Sequence, residues 1–124
     1  MSRILIVDDE PEITRLLKGY LAAKGHEAHT ALDGTEAIRK AGALRPDVVL
    51  LDLIMPGQSG IDVLKEIKAV DPGIAVIMMT AVIDEQLVQI AIESGADAHF
   101  AKPFQLEEIM KTLHRIVNRP RNKN

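Results

Sequence analysis

Residues 3–11, RILIVDDEP, carry a short apolar run into three consecutive acids and a proline. The apolar run predicts a buried strand, and Pro11 favours the first turn of a helix, where its missing N–H needs no partner. The stretch therefore predicts a strand that leads directly into a helix. Like charges at such a junction repel one another, so Asp8, Asp9 and Glu10 call for an explanation.

The same strand-then-helix unit repeats along the whole chain. Three of the predicted strands are continuous apolar runs, which favours a parallel sheet covered by helices on both faces. The predicted strands are residues 3–7, 26–32, 47–51, 74–79 and 98–101, and the predicted helices are residues 11–24, 35–44, 59–70, 84–94 and 106–117. The predicted fold class is α/β, with five strands and five helices in a doubly wound arrangement.

Composition narrows the range of functions. The 124 residues are 47% hydrophobic, carry a formal net charge of -3 and include no cysteine. These values predict one domain over residues 1–124, with a core at about 3–117 and a basic tail at 118–124. They do not point to nucleic acid as a partner, and they exclude disulfides and thiolate metal sites. No apolar stretch approaches the ~18 residues that span a bilayer, so we expect a cytoplasmic protein without membrane contact.

Residues suited to metal and phosphate chemistry stand at the carboxyl ends of the predicted strands. Asp8 and Asp9 follow the first strand, Asp52 the third, Thr80 the fourth and Lys102 the fifth. Parallel strands bring these ends to one edge, where open α/β sheets bind their ligands. Carboxylates ~5 Å apart repel by roughly 3 kcal/mol at an effective dielectric of about 20, and a divalent cation removes this cost. Oxygen ligands without histidine or cysteine suit Mg²⁺, or alternatively Mn²⁺.

A carboxylate at such a site can also act as a nucleophile towards phosphorus. Phosphoryl transfer needs its negative charge neutralised, which a metal, Lys102 and the hydroxyl of Thr80 could do together. Each residue also has an ordinary structural interpretation, because aspartate often caps helices or forms turns and lysine is commonly solvated. Their joint occurrence at one predicted edge favours the chemical interpretation.

Four segments together resemble the receiver domain of two-component response regulators. They are IVDDEP, VVLLDLIMPGQSGIDVL, IMMTA and HFAKPF, which occur in this order within residues 3–117. The resemblance implies a flavodoxin-like sheet with strand order 2-1-3-4-5. It also implies a signalling protein that takes a phosphoryl group from a phosphohistidine on a histidine kinase or a histidine phosphotransfer protein. Such a protein is not an enzyme acting on a separate substrate.

The resemblance assigns roles to the residues at the strand ends. Asp52 would be the phosphoacceptor, and Asp8 and Asp9 would hold Mg²⁺ together with Asp52 and the backbone carbonyl of Ile54. Lys102 would pair with the phosphoryl group.

The resemblance also suggests switch residues beside the site. Thr80 would move towards the phosphoryl group, and Ala81 would be small enough to leave it room. The Lys102–Pro103 bond is expected to be cis. His99 stands where the family usually places tyrosine or phenylalanine, so it is either a strand histidine or a smaller, titratable switch residue. Apolar side chains at Ile54 and Val82 predict slow loss of the phosphoryl group, because neither can orient a water.

The partner and the output are less constrained. HFAKPF and the short length are similar to stand-alone receivers of sporulation phosphorelays, in which Ile13, Leu16 and Phe104 would meet a helical bundle bearing the histidine. Ordinary packing explains these three residues equally well, and full burial of Ile13 or Leu16 would exclude the interface. Alternatives are a receiver cut from a larger regulator with a DNA-binding or enzymatic domain, and a phosphate-independent binding module. The downstream target is unknown, and the protein is expected to be a monomer or a phosphorylation-dependent dimer.

Overall fold

The computed structural model describes residues 2–81 and 84–118. The strands are β1 (Arg3–Val7), β2 (Glu27–Ala31), β3 (Val48–Asp52), β4 (Ile54–Met55), β5 (Gln58–Ser59), β6 (Ala75–Thr80) and β7 (Ala98–Ala101). The helices are α1 (Pro11–Ala23), α2 (Gly34–Leu44), α3 (Gly60–Val70), α4 (Glu85–Glu93) and α5 (Leu106–Asn118). None of the helices in the described part of the chain combines the length and the apolar composition that a membrane-spanning helix needs.

Five strands form one parallel sheet in the order β2-β1-β3-β6-β7. This is the expected order 2-1-3-4-5 once the short strands β4 and β5 are set aside, so the predicted fold class is confirmed. β1, β3 and β6 occupy the centre, and burial covers all of β3 and β6 and all of β1 after Arg3. Their continuous apolar runs reflect this burial on both faces.

Helices cover the sheet on both faces. On one face, Leu17 of α1 and Leu113 of α5 pack with Ile6 and Leu50 of the sheet. On the other face, the helices α2, α3 and α4 bury residues such as Leu64 against the opposite side of the same strands. Because both faces are filled, the open edge at the carboxyl ends of the strands is where polar groups can collect.

Helix ends differ from the predictions by at most one residue, for local chemical reasons. Asp33, Ser59 and Asp84 lie just outside their helices, and each side chain accepts a hydrogen bond from a backbone N–H of the first turn. These residues are caps and not helical residues, whereas the sequence pattern predicts Ser59 and Asp84 as the first residues of their helices. After α1, Gly25 has a φ of 90°, the left-handed conformation that glycine adopts readily after a helix.

The hairpin of β4 and β5 was not predicted. It begins two residues after Asp52, pairs Ile54 with Ser59 and Met55 with Gln58, and turns through Pro56 and Gly57. Gly57 has a φ of 78°, which suits the third position of a type II turn. Strands of two residues are too short to show an alternating pattern, so no strand is predicted there from the sequence.

Candidate functional site

Three carboxylates predicted to lie together do so at the carboxyl edge of the sheet. Asp8 and Asp9 follow β1, and Asp52 is the last residue of the neighbouring strand β3. One carboxylate oxygen from each residue lies within 4.8 Å of the others. Asp8 is fully buried, Asp52 is 5% exposed and Asp9 is half-buried. The cluster therefore offers an all-oxygen donor set that could hold a metal ion.

Lys102 reaches the same cluster from the loop after β7. Its Nζ donates to Asp8 Oδ2 at 2.6 Å and to Asp52 Oδ2 at 3.2 Å. The carboxylate of Glu10 lies 4.0 Å from the same nitrogen but is largely exposed. A single ammonium group thus offsets part of the negative charge, and the cluster keeps an excess of carboxylates.

The buried charges change one another's acidity. Burial is the main cause that raises the pKa of Asp52 above its ordinary value of 3.8, and the nearby charge of Asp8 adds to it. The Ile54 amide and Lys102 oppose this rise without cancelling it. Burial alone would lower the pKa of Lys102, but its hydrogen bond to Asp8 and the charge of Asp52 outweigh burial and raise it above 10.5. Lys102 is therefore a permanent cation at neutral pH.

Backbone hydrogen bonds fix the orientation of the two buried carboxylates. The N–H of Glu10 donates to Asp8 Oδ1 at 2.9 Å, and the N–H of Ile54 donates to Asp52 Oδ1 at 3.1 Å. In each case the carboxylate accepts from the residue two positions ahead, as in an Asx turn. Each carboxylate consequently has one oxygen held by the backbone and the other beside Lys102.

Backbone hydrogen bonds just beyond the strand ends fix the relative positions of the site residues. Beyond the last residue of β3, the N–H of Leu53 donates to the carbonyl of Met79 in β6 at 2.9 Å. Likewise the N–H of Lys102 donates to the carbonyl of Thr80 at 2.7 Å. Thr80, at the end of β6, is 3% exposed, and Ala81 after it is exposed. The predicted switch pair thus lies beside the lysine in the fold.

A cleft of about 400 Å³ opens onto the cluster. Its lining includes predicted site residues, Glu10 at the rim, and two residues to which the sequence assigned no role, namely Met55 and Pro56. Their position close to Asp52 in the chain was the available signal, but the hairpin that brings them to the cleft was not recognised. The full lining is Asp9, Glu10, Asp52, Ile54, Met55, Pro56, Ala81 and Lys102.

The remaining predicted switch and interface residues lie on β7, in the loop after β7 and on α1. His99 is exposed on β7, and the Lys102–Pro103 peptide bond is cis as expected. Leu16 is 57% exposed, and Ile13 and Phe104 are half-buried, so the burial that would exclude an interface there does not occur. Val82, which together with Ile54 is predicted to slow loss of the phosphoryl group because neither side chain can orient a water, lies outside the described residues.

The chain belongs to the response regulator receiver domain family, whose model matches residues 4–114. Sporulation initiation phosphotransferase F of Bacillus subtilis is 43% identical over 116 residues, which are 94% of each chain. The DNA-binding response regulator MtrA of Mycolicibacterium smegmatis is 39% identical over 118 residues, 95% of this chain and 51% of the relative. The chain thus spans about half the length of the MtrA regulators that it matches.

Solved structures agree with this assignment. A CheY-like response regulator receiver domain protein from Methanospirillum hungatei superposes with a TM-score of 0.92 at 26% identity, over 95% of this chain and 94% of that one. The chemotaxis protein CheY4 of Vibrio cholerae gives a TM-score of 0.88 at 32% identity, over 94% and 98% of the two chains. Receiver domains are signalling proteins that work with histidine kinases or phosphotransfer proteins, so the predicted class of function is confirmed.

Proposed function

We propose that Asp52 is the residue of this receiver that accepts a phosphoryl group from a partner's phosphohistidine. The observation that carries the proposal is the position of Lys102, whose Nζ lies 3.2 Å from Asp52 Oδ2 beside the open cleft. Asp8 is fully buried, whereas Asp52 lines the cleft, so Asp52 is the member of this ion-paired set that an incoming phosphorus atom can reach. Asp9 also lines the cleft but forms no hydrogen bond or ion pair with the described residues.

The proposed transfer exchanges one bond to phosphorus for another. A carboxylate oxygen of Asp52 attacks the phosphorus atom, so a P–O bond forms while the P–N bond of the phosphohistidine breaks. The imidazole nitrogen leaves with the electron pair of the broken bond. Lys102 remains beside the acceptor as a fixed positive charge, which favours negative charge developing on the transferred oxygens.

The donor set fits Mg²⁺, with Mn²⁺ as an alternative. Asp8, Asp9 and Asp52 supply oxygen ligands alone, and Asp9, which is not committed to another group among the described residues, faces the cleft. The backbone carbonyl of Ile54 would complete the protein ligands. When bound, the cation supplies positive charge to the phosphoryl oxygens and relieves the repulsion among the carboxylates.

Thr80 and Ala81 would respond to the new group. Thr80 ends β6 at the level of Lys102, and its hydroxyl is proposed to donate to a phosphoryl oxygen. The exposed Ala81 leaves space on the cleft side. His99, on the exposed side of β7, is the proposed point where the change reaches the surface, and Pro103 lies in the loop after β7 that carries Lys102.

Partner docking is proposed at the mouth of the cleft. Ile13, Leu16 and Phe104 present apolar surface to a helical bundle that carries the phosphohistidine. With a kinase or phosphotransfer protein that phosphorylates the wild type, Leu16→Ala should slow the transfer and Ile92→Ala should not. Both variants should react normally with a small-molecule donor, and equal transfer rates in the two would exclude this interface.

Two alternatives are proposed for the protein in which this receiver works. The match to the sporulation phosphotransferase covers 94% of that protein, which favours a relay intermediate or a stand-alone regulator. Such a protein would signal by altered protein contacts and would not act as an enzyme on a separate substrate. The match to half of MtrA supports the second possibility, a receiver within a larger DNA-binding regulator. A single domain over residues 1–124, a cytoplasmic location and the oligomeric state remain predictions.

Intact mass spectrometry tests the proposed function. The protein is incubated with Mg²⁺ and acetyl phosphate, with parallel samples that contain EDTA or the Asp52→Asn variant. We expect one added phosphoryl group in the first sample and none in the other two. No gain in mass with the wild type, or an equal gain with Asp52→Asn, would exclude Asp52 as the acceptor.

A further inference from the structure

The hairpin of β4 and β5 is held in place at its base. Met55 is 5% exposed and packs into the core under α2 and α3. At the neck, the N–H of Gly60 donates to the carbonyl of Leu53 at 3.0 Å. A Cβ on Gly60 would lie 2.7 Å from Leu53 Cα, which is closer than real Cβ atoms approach other atoms. Only glycine therefore allows the two backbone segments at the base of the hairpin to come this close.

A second contact holds the outer strand of the hairpin. α2 begins at Gly34, and a Cβ there would overlap the terminal amide of Gln58 and lie 2.6 Å from Val63 Cγ2. The end of the Gln58 side chain and a methyl group of Val63 therefore occupy the space that a Cβ at position 34 would need, and Gln58 would have to move to admit any other residue. This contact joins the start of α2 to the hairpin, and we name it the Gly34–Gln58 contact.

The hairpin carries part of the site. Ile54 opens β4, its N–H orients Asp52 at 3.1 Å, and its carbonyl is the proposed fourth protein ligand of the cation. Met55 and Pro56 of the same hairpin line the cleft. A shift of the hairpin would therefore move both the amide that orients the acceptor and the proposed metal ligand.

We propose that Gly34 and Gln58 are positioning residues of the site: their contact fixes the hairpin so that the Ile54 backbone faces Asp52. The part that concerns metal affinity rests on the proposed function, whereas the placement of the Ile54 amide does not. Residues that orient metal ligands without touching the metal commonly change affinity by about 10–100-fold.

The test compares Gly34→Ala, Gln58→Ala and the double variant with the control Gly42→Ala. Gly42 lies in the same helix, but a Cβ there meets nothing within 4 Å. Two quantities are measured: Mg²⁺ affinity by calorimetry, and hydrogen exchange of the Ile54 amide in the metal-free protein by NMR.

We expect each single variant to weaken Mg²⁺ binding by about tenfold and to speed exchange of the Ile54 amide. The double variant should bind Mg²⁺ no more weakly than the single variant with the lower affinity, because both single substitutions disturb the same contact. Gly42→Ala should match the wild type in both measurements. Singles that behave like the wild type, or effects that multiply in the double variant, would overturn the proposal.

Two further outcomes also test the proposal. If Gly34→Ala does not fold, Gln58→Ala alone decides: faster Ile54 exchange supports the proposal and unchanged exchange overturns it. If the wild type binds no Mg²⁺, the proposed metal site fails, and Ile54 exchange in the metal-free variants still decides whether the Gly34–Gln58 contact positions the hairpin.

Discussion

The ammonium of Lys102 lies 2.6 Å from the carboxylate of Asp8, although 94 residues separate the two in the chain. Asp8 is fully buried and the side chain of Lys102 is 12% exposed, so this is a largely desolvated ion pair. Breaking such a pair from one side leaves a buried charge without compensation, which costs more than the intact pair contributes. The pair therefore links the chemistry of the site to the stability of the fold.

The first prediction concerns this pair. Lys102→Met should lower the free energy of unfolding of the metal-free protein by about 2–3 kcal/mol, below the ~3–5 kcal/mol of fully buried pairs because Lys102 retains some solvent contact. Saturating Mg²⁺ should restore most of the loss, since a cation then compensates the carboxylates again. Urea denaturation with and without Mg²⁺ measures both effects.

Lys68→Met is the matched control for that prediction. Lys68 forms a comparable ion pair with Asp97 at 2.9 Å, but at the opposite end of the sheet strands. Its loss should also destabilise the protein, while Mg²⁺ should recover no more stability than in the wild type. An equal recovery in both variants would contradict the assignment of Lys102 to the metal site.

The second prediction is a dependence of stability on pH. The folded state raises the pKa of Asp52, chiefly through burial, so the folded protein holds the Asp52 proton more tightly than the unfolded chain. The contribution of Asp52 to stability is then full below its ordinary value of 3.8 and is lost as the pH rises through the raised pKa. In the metal-free protein, Asp52→Asn should therefore raise the melting temperature at pH 7.

Melting curves between pH 4 and pH 8 check this sign, with the exposed Glu66→Gln as control. The gain from Asp52→Asn should shrink towards pH 4, whereas Glu66→Gln should change little at any pH. A variant that is less stable than the wild type at pH 7 would show that the charged form of Asp52 is favoured by folding.

The third prediction distinguishes Asp9 from Glu10, two of the acids that line the cleft. Asp9→Asn should weaken Mg²⁺ binding more than tenfold, because one charge beside a divalent cation is worth several times the ~1.4 kcal/mol of a tenfold change. Glu10→Gln should change it little, since that side chain is 61% exposed and 4.0 Å from Lys102. Calorimetric titration compares the two, and equal losses would place Glu10 among the ligands.

The fourth prediction concerns the lifetime of the phosphorylated protein. Ile54 is 49% exposed and lines the cleft, but its side chain cannot hold a water in position. Ile54→Asn should speed loss of the phosphoryl group several-fold by supplying a group that orients the attacking water. Decay is followed by intact mass after the donor is removed, and Ile92→Asn, at a similarly exposed isoleucine on α4, should decay like the wild type. Unchanged decay in Ile54→Asn would refute this account.

The grouping of the site residues was predictable from the sequence because one rule places them. Parallel strands end at one edge, so Asp8, Asp52, Thr80 and Lys102 had to lie near one another once the strands were recognised. The contact of Lys102 with Asp8 as well as Asp52 was not predictable, because it depends on the path of the loop after β7. Their separation of 94 residues leaves no local signal.

The hairpin of β4 and β5, by contrast, was not predictable from the sequence. Its Pro56–Gly57 turn is visible in the sequence, but two-residue strands give no periodicity and the packing of Gln58 against Gly34 joins segments that are far apart in the chain. Strand and helix ends were likewise predicted only to within one residue, since a cap such as Ser59 resembles a helical residue until its hydrogen bond is seen.

The most direct test of the central claim locates the phosphoryl group chemically. An aspartyl phosphate is an acyl phosphate, which borohydride reduces to an alcohol and so leaves homoserine in place of the aspartate. The protein is phosphorylated with acetyl phosphate and Mg²⁺, treated with borohydride, digested and sequenced by mass spectrometry. The account predicts homoserine at Asp52 and at no other aspartate. Homoserine at Asp8 or Asp9, or none at Asp52, would contradict it.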